Sequence, residues 1–335
     1  MNPVLSICIA NYEGEAVISR CLDAVLTQDC DFSFEVIVND DASEDASCAI
    51  ILENYPQVRL LRSDINCGYC KSNNRMVEEA RGDFLLLLNN DTRLHDGSLQ
   101  LLVDAARSQQ EAGILSLPQY SMETGELLDR GLVLDFFANP IPVLHPSSEV
   151  AMVMGSCLLL RRSLWHRIGG FPEWFGSIAE DLYLCCRVRL MGLAICVTET
   201  GGYDHAVGHS FGGGKVTGNR LSSSYLRRRL SELNKNRVIA TCFPGWLPYV
   251  VFPLHFPLLL IEGAVMSIAQ RSQQPLQTIY GPAISGILGD LRRLQRERQR
   301  CMEHRRTSVR RFLGPIRASH RKLALLLRHG FPKLS

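Results

Sequence analysis

The sequence predicts an α/β fold built on a mostly parallel sheet flanked by helices. Three observations lead there. Over the first hundred positions, short apolar runs alternate with helical segments of about ten residues. Polar clusters follow the apolar runs. A chain of 335 residues, 46% hydrophobic and 21% charged, can also bury a sizeable core. That composition excludes a disordered, collagenous or polytopic membrane chain.

Residues 4–10 are the first apolar run, expected as a strand. Residues 15–27 place Val17, Ile18, Leu22, Val25 and Leu26 on one helical face. Residues 34–38 read as a second buried strand. Residues 43–55 read as a helix, with Ser43 suited to its N-cap and Pro56 beyond its end. A strand at 58–62, a helix at 71–80 and a fully apolar strand at 84–88 follow. This alternation implies a parallel sheet covered on both faces, with its site at the carboxyl ends of the strands. Residues 110–205 are more irregular, with strands expected at 155–160 and 193–197 and helices at 163–168 and 179–191. Residues 239–269 are almost uncharged, Glu262 excepted, and contain Pro244, Pro248, Pro253 and Pro257. Residues 284–311 regain helical periodicity among many arginines. The expected organisation is a catalytic domain at 1–238, an apolar segment at 239–269 and a basic amphipathic helical tail at 270–335.

The net charge of +2 hides an asymmetry. Residues 1–221 hold 16 Lys and Arg against 29 Asp and Glu, a net −13. Residues 287–335 hold 14 against 3, a net +11. The 12 cysteines sit mostly in apolar runs, and Cys67-x-x-Cys70 has no second pair at zinc spacing, so reduced, buried thiols in a cytosolic chain are expected. The N-terminus enters the first apolar run with no basic stretch before it, and no signal peptide is expected.

Four strand ends carry polar clusters: Asn11-Tyr12-Glu13, Asn39 to Asp45, Asn66-Cys67-Gly68-Tyr69 with Asn73-Asn74, and Asn89-Asn90-Asp91-Thr92. Asn, Asp and Gly also make ordinary turns. Their recurrence along one sheet edge is what points to a site. A carboxylate there can bond a ribose or base edge. Another can hold Mg²⁺ or Mn²⁺ bridging a diphosphate, since these ions bind through one or two carboxylates plus phosphate oxygens. No G-x-G-x-x-G follows the first strand and no G-x-x-x-x-G-K-[ST] occurs, so phosphate charge needs another neutraliser.

Five stretches, in order, carry a resemblance. They are VIVNDDASEDAS (36–47), NCGYCKSNNRMVEEARGDFLLLLNNDT (66–92), GSCLLLRRSLWHRIGGFPEWF (155–175), EDLYLCCRVRLMG (180–192) and HAVGHS (205–210). Over residues 4–240 the chain resembles the inverting nucleotide-sugar glycosyltransferases of family 2, rhamnosyltransferase-like branch. The resemblance implies a glycosyltransferase-A fold. It also implies a nucleotide-sugar site drawing on Asn11, Glu13, Asp40, Asn66, Gly68, Asn74, Asn89 and Asn90. Asp91 would be the metal-ligating carboxylate and His205 a further metal or diphosphate contact. Asn89 stands where the motif usually has Asp, leaving one charge fewer for the metal.

Inverting transfer needs one base to take the acceptor hydroxyl's proton. Asp181 is expected in that role, with Glu180 as the fallback base, although acids at a helix start are also favoured by the helix dipole. Gly155, Trp174 and Phe175 fall on the acceptor side, the two rings either stacking on sugar or packing internally. His209 reads as a loop residue, and Gly212 to Lys215 as a phosphate-closing loop or a linker.

In the tail, Ile284, Ile287, Leu288, Leu291 and Leu294 recur at helical spacing among Arg292, Arg293, Arg296, Arg298 and Arg300. Beside an apolar, proline-broken segment this reads as an anchor on anionic lipid, and no nucleic-acid motif competes with it. The expected activity is transfer of a sugar from dTDP-rhamnose or a UDP-sugar to a lipid-linked saccharide in bacterial surface polysaccharide synthesis. The expected place is the cytoplasmic face of the inner membrane. The competing reading is a catalytically weak, nucleotide-sugar-binding scaffold protein, which Asn89 keeps open.

Overall fold

Leu5, Ile7 and Ile9 of β1 (Leu5–Asn11) are buried on one face, and Ser6 and Cys8 on the other. A strand with no exposed face belongs inside a sheet covered on both sides. The computed structural model describes residues 2–148, 150–206, 213–217 and 220–334. After β1 come α1 (Ile18–Leu26), β2 (Phe34–Asp40), α2 (Ser47–Asn54), β3 (Arg59–Arg62), α3 (Tyr69–Glu79), β4 (Phe84–Asn89) and β5 (Thr92–Leu94). Next are α4 (Ser98–Ser108), β6 (Ala112–Ser116), β7 (Gln119–Ser121), β8 (Leu127–Asp129), β9 (Leu132–Asp135) and β10 (Pro140–Pro142). Then follow β11 (Cys157–Arg161), α5 (Arg162–Ile168), a 3-10 turn (Glu173–Phe175), α6 (Glu180–Leu190), β12 (Ala194–Val197) and β13 (Tyr203–His205).

The chain divides into two compact bodies. One is Met1–Leu132 with Pro142–Val188 and Leu193–Val207; the other is Val133–Ile141 with Arg189–Gly192 and Gly208–Ser335. The first body holds a seven-stranded sheet in the order β12-β6-β11-β4-β1-β2-β3. All its pairings are parallel except those of β11, which runs antiparallel to β4 and β6. Ile18, Leu22 and Val25 of α1 and Leu99, Leu102 and Val103 of α4 pack in one core with the alternate residues of β1 and β4. Each such side chain contributes roughly 1.5–3 kcal/mol on burial. A four-stranded sheet, β5-β13-β7-β8, completes this body.

One local expectation is corrected. α2 starts at Ser47, not at 43, and Ser43 does not cap it. The Ser43 hydroxyl donates to Asp40 Oδ1 at 2.6 Å instead, because Ala42 adopts a left-handed conformation (φ 64) that folds the loop back onto the strand end. All 12 cysteines are free thiols. Burial pushes Cys8 and Cys70 far up and Cys21 and Cys157 to about 12, so these stay protonated.

The second body contains β14 (Gly213–Thr217), β15 (Arg220–Ser223), α7 (Tyr225–Cys242), α8 (Leu247–Ala269) and a π-helical turn (Leu276–Tyr280). It continues with α9 (Gly281–Gly289), α10 (Leu291–Glu303), α11 (Val309–Leu313), β16 (Ile316–Arg317), α12 (Arg321–His329) and β17 (Lys333–Leu334). Ser224 caps α7 by accepting from Arg227 N. Buried Glu232 pairs with Lys235 at 3.0 Å and Lys322 at 2.6 Å. Lys235 also donates to Asn139 Oδ1, and Glu262 pairs with Arg228 and Lys322. Burial pushes Glu232 up, but Lys235, Lys322 and Arg228 outweigh it and hold the carboxyl well below its usual range.

The tail departs from the single lipid-facing stripe read at 284–311. That run breaks at Asp290 into α9 and α10. Ile287, Leu294 and Cys301 are buried within the protein, while Leu288 and Leu291 are exposed. Arg298 turns inward and donates to the carbonyls of Ala240, Phe243 and Gly245, closing the C-terminal end of α7. Helical spacing announced a covered face, and the cover is protein. His209 and Gly212 lie outside the described residues; Gly213, Gly214 and Lys215 belong to β14.

Candidate active site

Register places the polar ends of three strands together: Asn11 pairs with Asp40, and Ala10 with Asn89. Asn11 is the hub. Its Nδ2 donates to Asp40 Oδ1 at 2.8 Å and Ser47 Oγ at 3.0 Å, and its Oδ1 accepts from Asn90 Nδ2 at 2.9 Å. A Cβ on Gly14 would fall 2.0 Å from Asn11 Oδ1 and 2.7 Å from Asn90 Nδ2, so only glycine leaves this bond intact. Asp40 also accepts from Ser43 N and Ser43 Oγ, which makes it the brace of its loop. Glu13, exposed beside it, accepts from Glu44 N and donates its own N–H to Ser43 Oγ.

Asp41 accepts from the N–H groups of Cys67 and Gly68 at 2.8 and 2.7 Å, tying the second cluster to the third. Gly68 has φ 87, and a Cβ there would meet Gly176 O at 3.0 Å. That close approach lets Cys70 N donate to Gly176 O at 2.9 Å. Asn66 is exposed on the loop before Gly68. Asn74 clamps the loop at Phe171: its Nδ2 donates to Phe171 O, and its Oδ1 accepts from Phe171 N, both at 2.9 Å. The Tyr69 hydroxyl lies 3.1 Å from both Asn89 Oδ1 and Gly155 O. Burial, and then the charges of Glu180 and Asp181, push the Tyr69 phenol well up, so it remains a donor.

Asp91 and His205 meet through sheet pairing. β5 begins one residue after Asp91, and its Thr92 is the register partner of His205 on β13. Ala206 N donates to Asp91 O at 3.0 Å. His205 Nε2 then lies 3.2 Å from Asp91 Oδ1, an ion-pair distance at which the geometry makes no hydrogen bond. Both side chains are buried, and His205 Nδ1 has no hydrogen-bond partner among the described residues. Lone pairs on adjacent carboxylate and imidazole groups, unspent on protein donors, fit a divalent cation. Among the described residues no three His, Cys, Asp or Glu side chains converge on one point. A cation held by this pair would take its remaining ligands from phosphate oxygens and water.

Glu180 and Asp181 open α6 and are both buried. The preceding Ile178 and Ala179 are both left-handed, with φ 71 and 69. For a β-branched residue this is a strained conformation, and such strain gathers at functional sites. Asp181 Oδ2 accepts from Gly155 N at 3.1 Å, and its Oδ1 from Leu182 N at 2.7 Å. Trp174 is half-buried. Phe175 is buried, with edge contacts to Trp174 and Tyr183, and serves the core.

Sequence reasoning placed Tyr69 in the third cluster without giving it a role, and passed over Gln119, Asp129, Ser156 and Tyr203. Ser156 Oγ lies 2.8 Å from the Tyr203 hydroxyl, which donates to Gln119 Oε1 at 2.6 Å under the β13 strand. Burial raises the Asp129 carboxyl to about 6, against the Gly131 N–H and His205, which lower it. An acid ending a three-residue strand carries no sequence signal for this.

A mostly parallel sheet with acid, amide and imidazole groups gathered at its carboxyl edge, and a strained acidic helix start beside them, define a glycosyltransferase-A protein. Residues 6–169 match the model of Glycosyl transferase family 2, and the chain carries a glycosyltransferase domain of that family. An N-acetylglucosaminyl-diphospho-decaprenol L-rhamnosyltransferase of Mycobacterium tuberculosis (strain CDC 1551 / Oshkosh) is 29% identical over 243 residues, 63% of this chain and 79% of that one. An uncharacterized protein of the same strain is 39% identical over 102 residues, and the match spans 30% of this chain and only 31% of that protein. A structure of GalNAc-T7 with UDP, GalNAc and Mn²⁺ superposes with TM-score 0.60 at 13% identity, covering 87% of this chain and 57% of that one, and so shares the fold. The glycosyltransferase-A fold implied by the sequence resemblance is thus the fold found.

Proposed function

We propose that the chain transfers a sugar, with inversion, from a nucleotide-diphosphate donor to a saccharide carried on a lipid. The observation carrying this reading is the convergence of Asn11, Asp40, Asn90, Asp91 and His205 at the carboxyl edge of the sheet. In this reading the loops braced by Asp40 and Asp41 receive the nucleoside, with Asn66, Glu13 and Tyr12 at their exposed rim. Asp91 and His205 would hold Mg²⁺ or Mn²⁺, which would supply positive charge to neutralise the leaving diphosphate. Asp181 takes the acceptor's proton, its carboxylate oriented by Gly155 N, while Glu180 adds negative charge beside it. Trp174 presents a half-buried ring to the acceptor.

The decaprenol-linked rhamnosyltransferase relative supports a lipid-linked acceptor and makes dTDP-rhamnose the first donor to try, with UDP-sugars next. The Mn²⁺ and UDP of the GalNAc-T7 structure support the cation. An imidazole ligand favours Mn²⁺ over Mg²⁺, which prefers oxygen. The chain then works at the cytoplasmic face of the inner membrane, attached through its C-terminal part; 239–269 would provide the apolar contact and 270–335 the basic one. The 1–238 portion would hold the catalytic machinery.

The test is nucleotide release from a panel of dTDP-, UDP- and GDP-sugars, with and without EDTA. One donor should be turned over in a metal-dependent way, and Asp91→Ala should lose about 10²–10³ in rate. Turnover unchanged by both EDTA and Asp91→Ala would refute the metal assignment. Donor binding without turnover for every donor and acceptor would favour the scaffold reading, the one Asn89 supports.

A further inference from the structure

We propose that the lipid-binding surface is the outer face of α8 joined to the leucine face of α12, lying flat in the membrane interface, with α10 outside the lipid. It rests on the membrane attachment proposed above and names the surface responsible. Leu254, Leu258, Ile261, Val265 and Ile268 follow one another at steps of four and three, so they form one stripe, and all are exposed, Ile268 by 77%. The stripe runs about 21 Å at 1.5 Å per residue. The opposite stripe, Val251, His255, Leu259 and Met266, is buried. α8 is therefore apolar on its exposed side as well as its packed one. Its one charged residue, Glu262, turns to Arg228 and Lys322. A soluble surface helix has a polar outer face, and contiguous apolar patches of this size mark contact surfaces.

α12 extends the patch. Lys322 Nζ lies 2.8 Å from Glu262 Oε2, which fixes α12 beside α8. Next to Lys322, Leu323 is exposed, and Leu327 one turn on is 80% exposed. Exposed Arg271 just past α8, Arg328 in the last turn of α12 and Lys333 beyond it form a basic border suited to anionic headgroups.

Two prolines set the depth. Pro253 and Pro257 lie on the exposed side of α8 and deprive the carbonyls of Tyr249 and Pro253 of their helical donors. Such carbonyls are costly in hydrocarbon, so this half stays at headgroup level with exposed Trp246 and Tyr249. α8 lies in the plane of the interface and does not cross. α10 has no apolar stripe left to insert, since Leu294 and Cys301 are buried against the protein and Arg298 caps α7.

The test uses the full chain and vesicles of phosphatidylcholine with phosphatidylglycerol. Wild type should float with the vesicles, and brominated lipid should quench Trp246, with Trp246→Phe as the blank. Leu258→Glu with Ile261→Glu, exposed positions whose melting curves verify folding, should weaken flotation at least about tenfold. Leu323→Glu with Leu327→Glu should weaken it too. Arg292→Glu with Arg293→Glu in α10 should leave the quenching unchanged. Wild-type flotation of the α8 variant, or loss of quenching only in the α10 variant, overturns the proposal. So does a soluble dimer that the α8 variant converts to monomer without any vesicle binding. No turnover is needed for these readouts. A chain that floats but transfers nothing refutes the transferase reading alone, and one that transfers but does not float refutes this one.

Discussion

The backbone N–H of Gly155 donates to Asp181 Oδ2 at 3.1 Å, so the carboxylate assigned as base hangs from the main chain just before β11. On the other side of the same residue, the Gly155 carbonyl meets the Tyr69 hydroxyl, which also reaches Asn89. Three polar contacts, through Gly155 and Tyr69, thus link Asp181 to Asn89.

Tyr69→Phe removes that hydroxyl and keeps the ring. A net hydrogen bond contributes about 0.5–1.5 kcal/mol. The variant should fold, with turnover reduced about tenfold at the upper end of that range. Steady-state kinetics beside a melting curve check this. Unchanged turnover would show that Tyr69 does not position the site.

Asp129 makes stability depend on pH. Its folded-state carboxyl is raised to about 6 from an ordinary 3.8, so the folded protein holds a proton that the unfolded chain releases. Its favourable contribution is fully present below about 4 and is lost as pH rises through about 6. Asp129→Asn keeps an acceptor for Gly131 N and never ionises. At pH 7.5 it should be more stable than wild type by about 1–3 kcal/mol, and the advantage should vanish near pH 4. Denaturant melts at both pH values give the answer; equal stability at pH 7.5 would contradict it.

Glu232 pairs with Lys235, Lys322 and Arg228 in the C-terminal body, and Glu262 shares the last two. Glu232→Gln leaves buried cations short of an anion, which costs about 3–5 kcal/mol. The C-terminal body should lose its cooperative transition, read by hydrogen exchange along α7. A loss below about 1 kcal/mol would mean the cluster is solvated.

The site's sheet edge was legible because polar residues directly after an apolar strand have only the strand end to occupy. Asn11, Asp40 and Asn89 could be placed together without coordinates. The Tyr69–Gly155 contact spans 86 residues and left no periodic trace. The Asp91–His205 approach depends on two three-residue strands, β5 and β13, too short to show alternation. Ser43 looked like a cap because caps and loop braces use the same hydroxyl. The tail misled for a related reason: spacing at Ile287 and Leu294 reveals a covered face but not what covers it, and the apolar stripe left open is on α8, continued by Leu323 and Leu327 of α12.

The most direct measurement is acceptor-dependent nucleotide release by Asp181→Asn beside wild type, with donor binding followed by thermal shift. The account predicts a fall of about 10²–10⁴ in turnover with donor binding retained. Turnover by Asp181→Asn within a few-fold of wild type would contradict it.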